Sequence, residues 1–223
     1  MSIVWQALVR MLTEQRPSRS QPVVSNHGKD STVFEVERKF RLKDGEAPLV
    51  ATRLKAMGFA PVEAIEMTDA FLPTKVPGEM LRVRSEKSEL RNCTVVTIKE
   101  WVQLGQGRER QETEEAISAI SKWFLLKFGQ FISGRPLLSF SKTRLMHETD
   151  GKGVVIAVDN VQGLLENSGY YVEIEVLVPR GGDVEGARAK ISALASELFG
   201  DEREFVQASY QDMLKLAQSR SNS

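Results

Sequence analysis

Val33-Phe34-Glu35-Val36-Glu37-Arg38-Lys39-Phe40 is the stretch on which the fold turns. Side chains along a β-strand point alternately to its two faces. Here the alternation sets Glu35, Glu37 and Lys39 on one face and Phe34, Val36, Arg38 and Phe40 on the other. The spacing predicts a strand with one charged and one largely apolar face. Further runs of this kind follow at about Val62–Leu72, Met80–Glu86, Thr94–Trp101, Gly107–Glu114, Leu138–His147, Gly153–Asn160 and Tyr170–Pro179. Helical spacing appears at about Ala47–Met57, Ile117–Gly129, Val184–Leu198 and Ser209–Leu216. The turn sequences Gly105-Gln106-Gly107 and Asp150-Gly151-Lys152-Gly153 join neighbouring strands directly, as hairpins do. An α+β chain is therefore expected, built on a closed or nearly closed antiparallel β-barrel of about eight strands with flanking helices. Closure would remove the exposed sheet edges and leave a tunnel.

The composition narrows the chemistry. Of 223 residues 30 are Lys or Arg and 30 are Asp or Glu, so the net charge is zero. A balanced chain lacks the basic surplus on which bulk DNA or anionic-membrane binding depends. Its apolar runs fall short of the roughly 18 residues of a spanning helix, so no membrane is expected as a partner. The lone Cys93 excludes an intrachain disulfide framework and a thiolate zinc cluster, and fits a reducing compartment. With only His27 and His147, chemistry must rest on carboxylates, Lys, Arg and hydroxyls. His147 reads as a surface hairpin residue, and Trp123, at helical spacing, as core.

Three segments are expected: a flexible extension over residues 1–31, a main domain over 32–218 and a disordered tail over 219–223. The extension starts with Ile3, Val4, Ala7, Leu8, Met11 and Leu12 at helical spacing, then runs through Gln15–Pro22. Up to His27 its only acid is Glu14, against Arg10, Arg16 and Arg19, a composition that also suits an organelle transit peptide. Cytoplasm is the expected compartment, with a mitochondrion or another organelle as the alternative.

The charged faces carry the functional signal. Arg82 with Arg84, Thr97 with Lys99, Arg110 with Glu112 and Glu114, Lys142 with Arg144, and Glu173 with Glu175 each share a face. Asp159 follows the apolar run Val154–Val158. A wet sheet face would explain any single strand. Taken together, acids sit in the first and last strands and bases between them, with arginine forks suited to phosphate oxygens. Turned into one lumen, such faces call for a polyanion and divalent cations. Carboxylates without His or Cys favour Mg²⁺ or Mn²⁺ over zinc.

The stretch Glu35-Val36-Glu37-Arg38-Lys39 resembles the amino-terminal Glu-x-Glu-x-Lys signature of the CYTH superfamily, the triphosphate tunnel metalloenzymes. The resemblance continues through Leu81-Arg82-Val83-Arg84, Thr97-Ile98-Lys99, Arg110–Glu114, Lys142-Thr143-Arg144, Asp159 and Val172–Val176, spanning about Val33 to Leu216. It implies a metal-dependent triphosphatase acting on a small-molecule substrate such as thiamine triphosphate or inorganic tripolyphosphate, with Mg²⁺ or Mn²⁺ as cofactor. It also implies the roles. Glu35, Glu37, Asp159, Glu173 and Glu175 would be metal ligands. Lys39, Arg82, Arg84, Lys99, Arg110, Lys142 and Arg144 would bind the triphosphate, with Glu112 and Glu114 supporting the tunnel wall. Glu35, Glu37, Lys39, Glu173 and Glu175 would be the catalytic set. Met80 stands where the mammalian thiamine-triphosphatase branch has a Trp, which leaves tripolyphosphate, nucleotides and RNA 5′ ends open beside thiamine triphosphate. Class IV adenylyl cyclase activity, RNA 5′-triphosphatase activity and a non-catalytic polyphosphate-binding module are the alternatives.

Overall fold

A computed structural model describes residues 33–74, 79–104, 107–134, 136–149, 153–179, 181–200 and 203–221. The extension over 1–31 and the turn residues Gly105, Gln106 and Asp150 to Lys152 lie outside the described residues. Among the described residues eight strands are present: β1 (Val33–Arg41), β2 (Ala60–Leu72), β3 (Met80–Lys87), β4 (Asn92–Leu104), β5 (Gly107–Ile117), β6 (Leu138–Glu148), β7 (Val154–Gln162) and β8 (Gly169–Pro179). Among the described residues there are four α-helices, α1 (Glu46–Ala56), α2 (Ala119–Ser133), α3 (Val184–Phe199) and α4 (Tyr210–Ser221). The strands join one antiparallel sheet in the order β1-β8-β7-β6-β2-β3-β4-β5, so the expected α+β class and strand number hold. The last helix runs past the Leu216 expected as its end, to Ser221. None of the described helices is long and apolar enough to cross a membrane.

The described chain forms two compact units: Met67–Phe140, and residues 33–66 with 141–221. In the second unit β1 pairs with β8 and β8 with β7, and the register sets Val36 opposite Val176, Val172 opposite Phe40, and Ile156 opposite Ile174. These apolar faces pack with Val50 and Leu54 of α1 and with Ile191, Ala195 and Leu198 of α3 in one buried cluster. The helices are placed by their ends. Asp183 accepts a hydrogen bond from Gly186 N at 2.7 Å and starts α3, satisfying an amide that the first turn cannot. Glu46, in the first turn of α1, takes both Arg203 Nη1 (2.7 Å) and Nη2 (2.9 Å). Burying one sheet face under α1 and α3 leaves the charged residues of β1, β8, β7 and β6 together on the opposite face.

The first unit repeats the scheme with one helix. Leu72, Leu81, Val83 and Val96 form a cluster with Leu125 of α2. Ser118 caps α2, accepting from Ser121 N at 3.1 Å. Gly129 lies so close to the sheet that a Cβ there would stand 2.3 Å from Leu72 Cδ2. Trp123 is not core: it is 59% exposed, and Phe124 and Ile120 are exposed with it. The helix seats its Ser121–Leu125–Gly129 line, and Trp123 and Phe124 fall on the outward side of the same turns. The expectation for His147 is also corrected. Its period-two position opposite Ile156 carries it to the apolar side, where it is 3% exposed and burial lowers its basicity.

Candidate functional site

Register decides which charged residues meet. In the second unit β1 and β8 place Glu37 opposite Glu175 and Lys39 opposite Glu173. The β7–β8 ladder puts Asp159 opposite Tyr171, and the β6–β7 ladder puts Arg144 opposite Asp159. Residues paired across a ladder share a face. Glu35, Glu37, Lys39, Lys142, Arg144, Asp159, Glu173 and Glu175 therefore belong to one face of four adjacent strands.

Asp159 is fully buried. Arg144 Nε donates to its Oδ1 at 2.7 Å and Nη2 to its Oδ2 at 2.8 Å, while Lys142 Nζ donates to Oδ2 at 2.7 Å. Arg144 Nη2 also donates to Glu173 Oε2, whose partner oxygen lies 3.6 Å from Lys39 Nζ. Burial disfavours the Arg144 charge, but Glu173 and Asp159 outweigh it and hold the guanidinium above its ordinary pKa. Acids and bases are thus interleaved here rather than parted by sign.

Glu175 differs. Burial raises its pKa, a hydrogen bond with Glu35 opposes the rise, and Glu37 and Glu173 add to it. A carboxyl that meets another carboxyl has to share a proton or gain a cation. In this group five carboxylates face three cationic side chains, an imbalance that one divalent ion would neutralise. Hard oxygen donors of this kind suit Mg²⁺ or Mn²⁺. Among the described residues no three His, Cys, Asp or Glu side chains converge tightly enough to form a ready-made metal cage. The donor chemistry of this carboxylate group fits such an ion; Asp159 and Glu173 meet Lys and Arg, and Arg144 also acts on Glu175.

In the first unit β3 and β4 set Arg82 opposite Thr97, and β4 and β5 set Thr97 opposite Glu114. Arg82 Nη2 donates to Thr97 Oγ1 (3.0 Å) and Glu114 Oε1 (3.3 Å), and Thr97 donates to the same carboxylate at 2.8 Å. Arg84 clasps Asp69 through Nε (2.7 Å) and Nη2 (2.8 Å). The half-buried Lys99 pairs in register with Met80 and Glu112. Arg110 is placed in β5 opposite Trp101; its side chain and that of Glu112 lie outside the described residues.

Two participants were not foreseen, Asp69 and Tyr210. Asp69 is 1% exposed, in a strand whose buried positions alternate as Ile65, Met67, Asp69 and Phe71. An acid standing in an apolar alternation was the available signal, because a buried carboxylate needs a cationic partner. Tyr210 opens α4 and is buried, with Oη donating to Asp159 Oδ2 at 3.3 Å. Its helical position gave no comparable sign.

The antiparallel sheet and its charged face define a fold already seen in solved structures. The PH1819 protein of Pyrococcus horikoshii OT3 is 24% identical, with a TM-score of 0.62 over 82% of this chain and 99% of that one. A conserved hypothetical protein of Pyrococcus furiosus gives 24% identity and a TM-score of 0.61 over 82% and 99% of the two chains. A candidate adenylyl cyclase from Hippeastrum, described as having a dominant triphosphatase activity, gives 18% and 0.54 over 85% and 97%. No curated protein matches the chain. The CYTH domain profile matches residues 34–210, and the chain belongs to the CYTH family.

Proposed function

We propose that the protein is a metal-dependent hydrolase that removes the terminal phosphate of a small-molecule triphosphate, such as inorganic tripolyphosphate or thiamine triphosphate. The observation that carries this reading is the second-unit group, in which Lys39, Lys142 and Arg144 gather on Glu173, and Arg144 also acts on Glu175, the hydrogen-bonded partner of Glu35. A pure anion binder gains nothing from a carboxyl–carboxyl pair such as Glu35 with Glu175, since the pair repels the ligand. Glu35, Glu37 and Glu175 would hold Mg²⁺ or Mn²⁺, with Asp159 and Glu173 as further candidate ligands. When bound, the ion supplies charge neutralisation and activation of water. Phosphoryl transfer asks mainly for positioning and charge stabilisation. In the second unit Lys39, Lys142 and Arg144 serve to bind and orient phosphate oxygens; in the first unit Arg82, Arg84, Lys99 and Arg110 are the candidates for the same role. Glu114 and Asp69 orient Arg82 and Arg84. No side chain need act as a nucleophile, which agrees with a chain poor in His and Cys.

Met80, buried at the start of β3, offers no flat ring on which thiamine could stack, which favours tripolyphosphate over thiamine triphosphate. Cytoplasm remains the proposed compartment. Phosphate release from tripolyphosphate, thiamine triphosphate, ATP and 5′-triphosphorylated RNA, each with Mg²⁺ and with Mn²⁺, tests the reading. Turnover of tripolyphosphate is expected. Metal-independent binding without turnover of any of the four would instead establish a polyphosphate-binding module, and release of cyclic AMP and pyrophosphate from ATP a cyclase.

A further inference from the structure

The chain reaches α4 along β1: Val206 N donates to Lys39 O at 2.6 Å, and the Arg38 guanidinium lies 4.2 Å from the centre of the Phe205 ring. Ser209 and Asp212 then bond reciprocally, Asp212 N to Ser209 Oγ at 3.2 Å and Ser209 N to Asp212 Oδ2 at 3.3 Å. This is the logic of a capping box, and it fixes the first helical residue, Tyr210. Tyr171 meets the Tyr210 ring edge-on at 5.4 Å and 85° and is itself held by Asn167 O at 2.6 Å. The ring so placed has Lys39 Nζ 3.8 Å from its centre and Lys142 Nζ at 5.2 Å.

Both lysines are buried, at 8% and 4% exposure, so their ammonium groups need compensation. A further carboxylate would cancel the charge that a phosphate chain has to meet. The face of an aromatic ring attracts a cation through its quadrupole and leaves the net charge intact. We propose that Tyr210 is a positioning residue that holds the Lys39 and Lys142 ammoniums against its ring, so that both meet the phosphates of the substrate. The inference rests on the triphosphate reading above and adds α4 to that site.

The test uses the full chain carrying Phe or 3,4,5-trifluorophenylalanine at position 210, titrated calorimetrically with inorganic tripolyphosphate in Mg²⁺ and melted in parallel. The fluorinated ring keeps its shape and loses most of its quadrupole. Tyr210→Phe, which loses the hydroxyl contact to Asp159, is expected to weaken binding about threefold. The fluorinated ring is expected to weaken it about tenfold more, because two cation–π contacts fail together. Equal Kd values for Phe and its fluorinated form would overturn the inference. Met213→Ala, which loosens the same helix where Met213 is 5% exposed, is expected to lower Tm and leave Kd unchanged. A loss of affinity in Met213→Ala as large as that of the fluorinated ring would also overturn it, since helix packing would then set the affinity. Absence of tripolyphosphate binding by the unsubstituted chain would remove the triphosphate reading and this inference together, a result distinct from either of the others.

Discussion

Asp159 holds Arg144 by both Nε and Nη2, at 2.7 and 2.8 Å, and takes Lys142 Nζ at 2.7 Å on one of the same oxygens. One buried carboxylate therefore orients two of the cations proposed to grip phosphate. Removing one member of a buried ion group leaves the others uncompensated, which is dearer than never having had the group. Asp159→Asn is expected to lower stability by about 3 kcal/mol in urea denaturation. A loss below about 1 kcal/mol, the scale of an exposed pair, would contradict the assignment.

Glu46 and Arg203 join α1 to the segment before α4, and the two hydrogen bonds from Arg203, opposed by burial and reinforced by the Lys43 amide, leave the Glu46 pKa at about 2 instead of 4.5. A carboxylate whose folded pKa is depressed adds stability above its unfolded pKa and loses it as pH falls to the folded value. The wild-type advantage over Arg203→Ala is expected to be about 1 kcal/mol at neutral pH, the scale for a well-formed, partly exposed bidentate pair. It should shrink between pH 4.5 and 2. A difference that stays constant through that window would show that Arg203 acts by packing on Phe199, 4.3 Å away, and not by charge.

Gly129 is where α2 meets β2. A Cβ at this position would come within 2.3 Å of Leu72 Cδ2, and Leu72 is only 3% exposed and has little room to retreat. Gly129→Val is expected to destabilise the protein by about 2 kcal/mol through overpacking, despite the flexibility it removes from the unfolded chain. An unchanged urea midpoint would mean that the helix can shift away from the sheet at no expense.

The shared hydrogen bond of Glu35 and Glu175 makes metal affinity depend on protonation. Burial raises the Glu175 pKa, the bond from Glu35 opposes this, and Glu37 and Glu173 reinforce it. A ligand has to lose its proton before the ion can take its place. Mn²⁺ binding, followed by electron paramagnetic resonance, is expected to weaken as pH drops from 7 towards the raised pKa. Glu175→Gln should reduce affinity at pH 7 about tenfold and flatten the pH dependence. Affinity equal to wild type in Glu175→Gln would place the ion elsewhere.

Much of the fold was legible because a strand with one buried face writes its period into the sequence. The Glu35/Glu37/Lys39 alternation, the Arg82/Arg84 pair and the Glu173/Glu175 pair all lie in strands at the expected positions. The α+β sheet followed from hairpin-linked runs. The pairing of β1 with β8 was not legible, because register between distant strands is set by packing. The Asp150–Gly153 turn gave β6 and β7 as partners, but not the register that brings Arg144 and Lys142 onto Asp159. The exposure of Trp123 was missed because spacing alone gives a helix its stripe without saying which side is seated. His147 was misplaced for the opposite reason, a polar residue taken for surface although its register with Ile156 puts it on the core side. Tyr210 depends on the path that leads into α4 alongside β1, and no residue count predicts where such a path brings a ring.

The central claim, that carboxylates of β1 and β8 hold a divalent ion for triphosphate hydrolysis, is tested most directly by phosphate release from tripolyphosphate with and without Mn²⁺. Wild type and the double variant Glu35→Gln/Glu175→Gln would be compared after equal melting temperatures have been shown. Metal-dependent release by wild type, reduced by at least about a hundredfold in the double variant, is the predicted result. Release that survives chelation, or that the double variant retains in full, would contradict it.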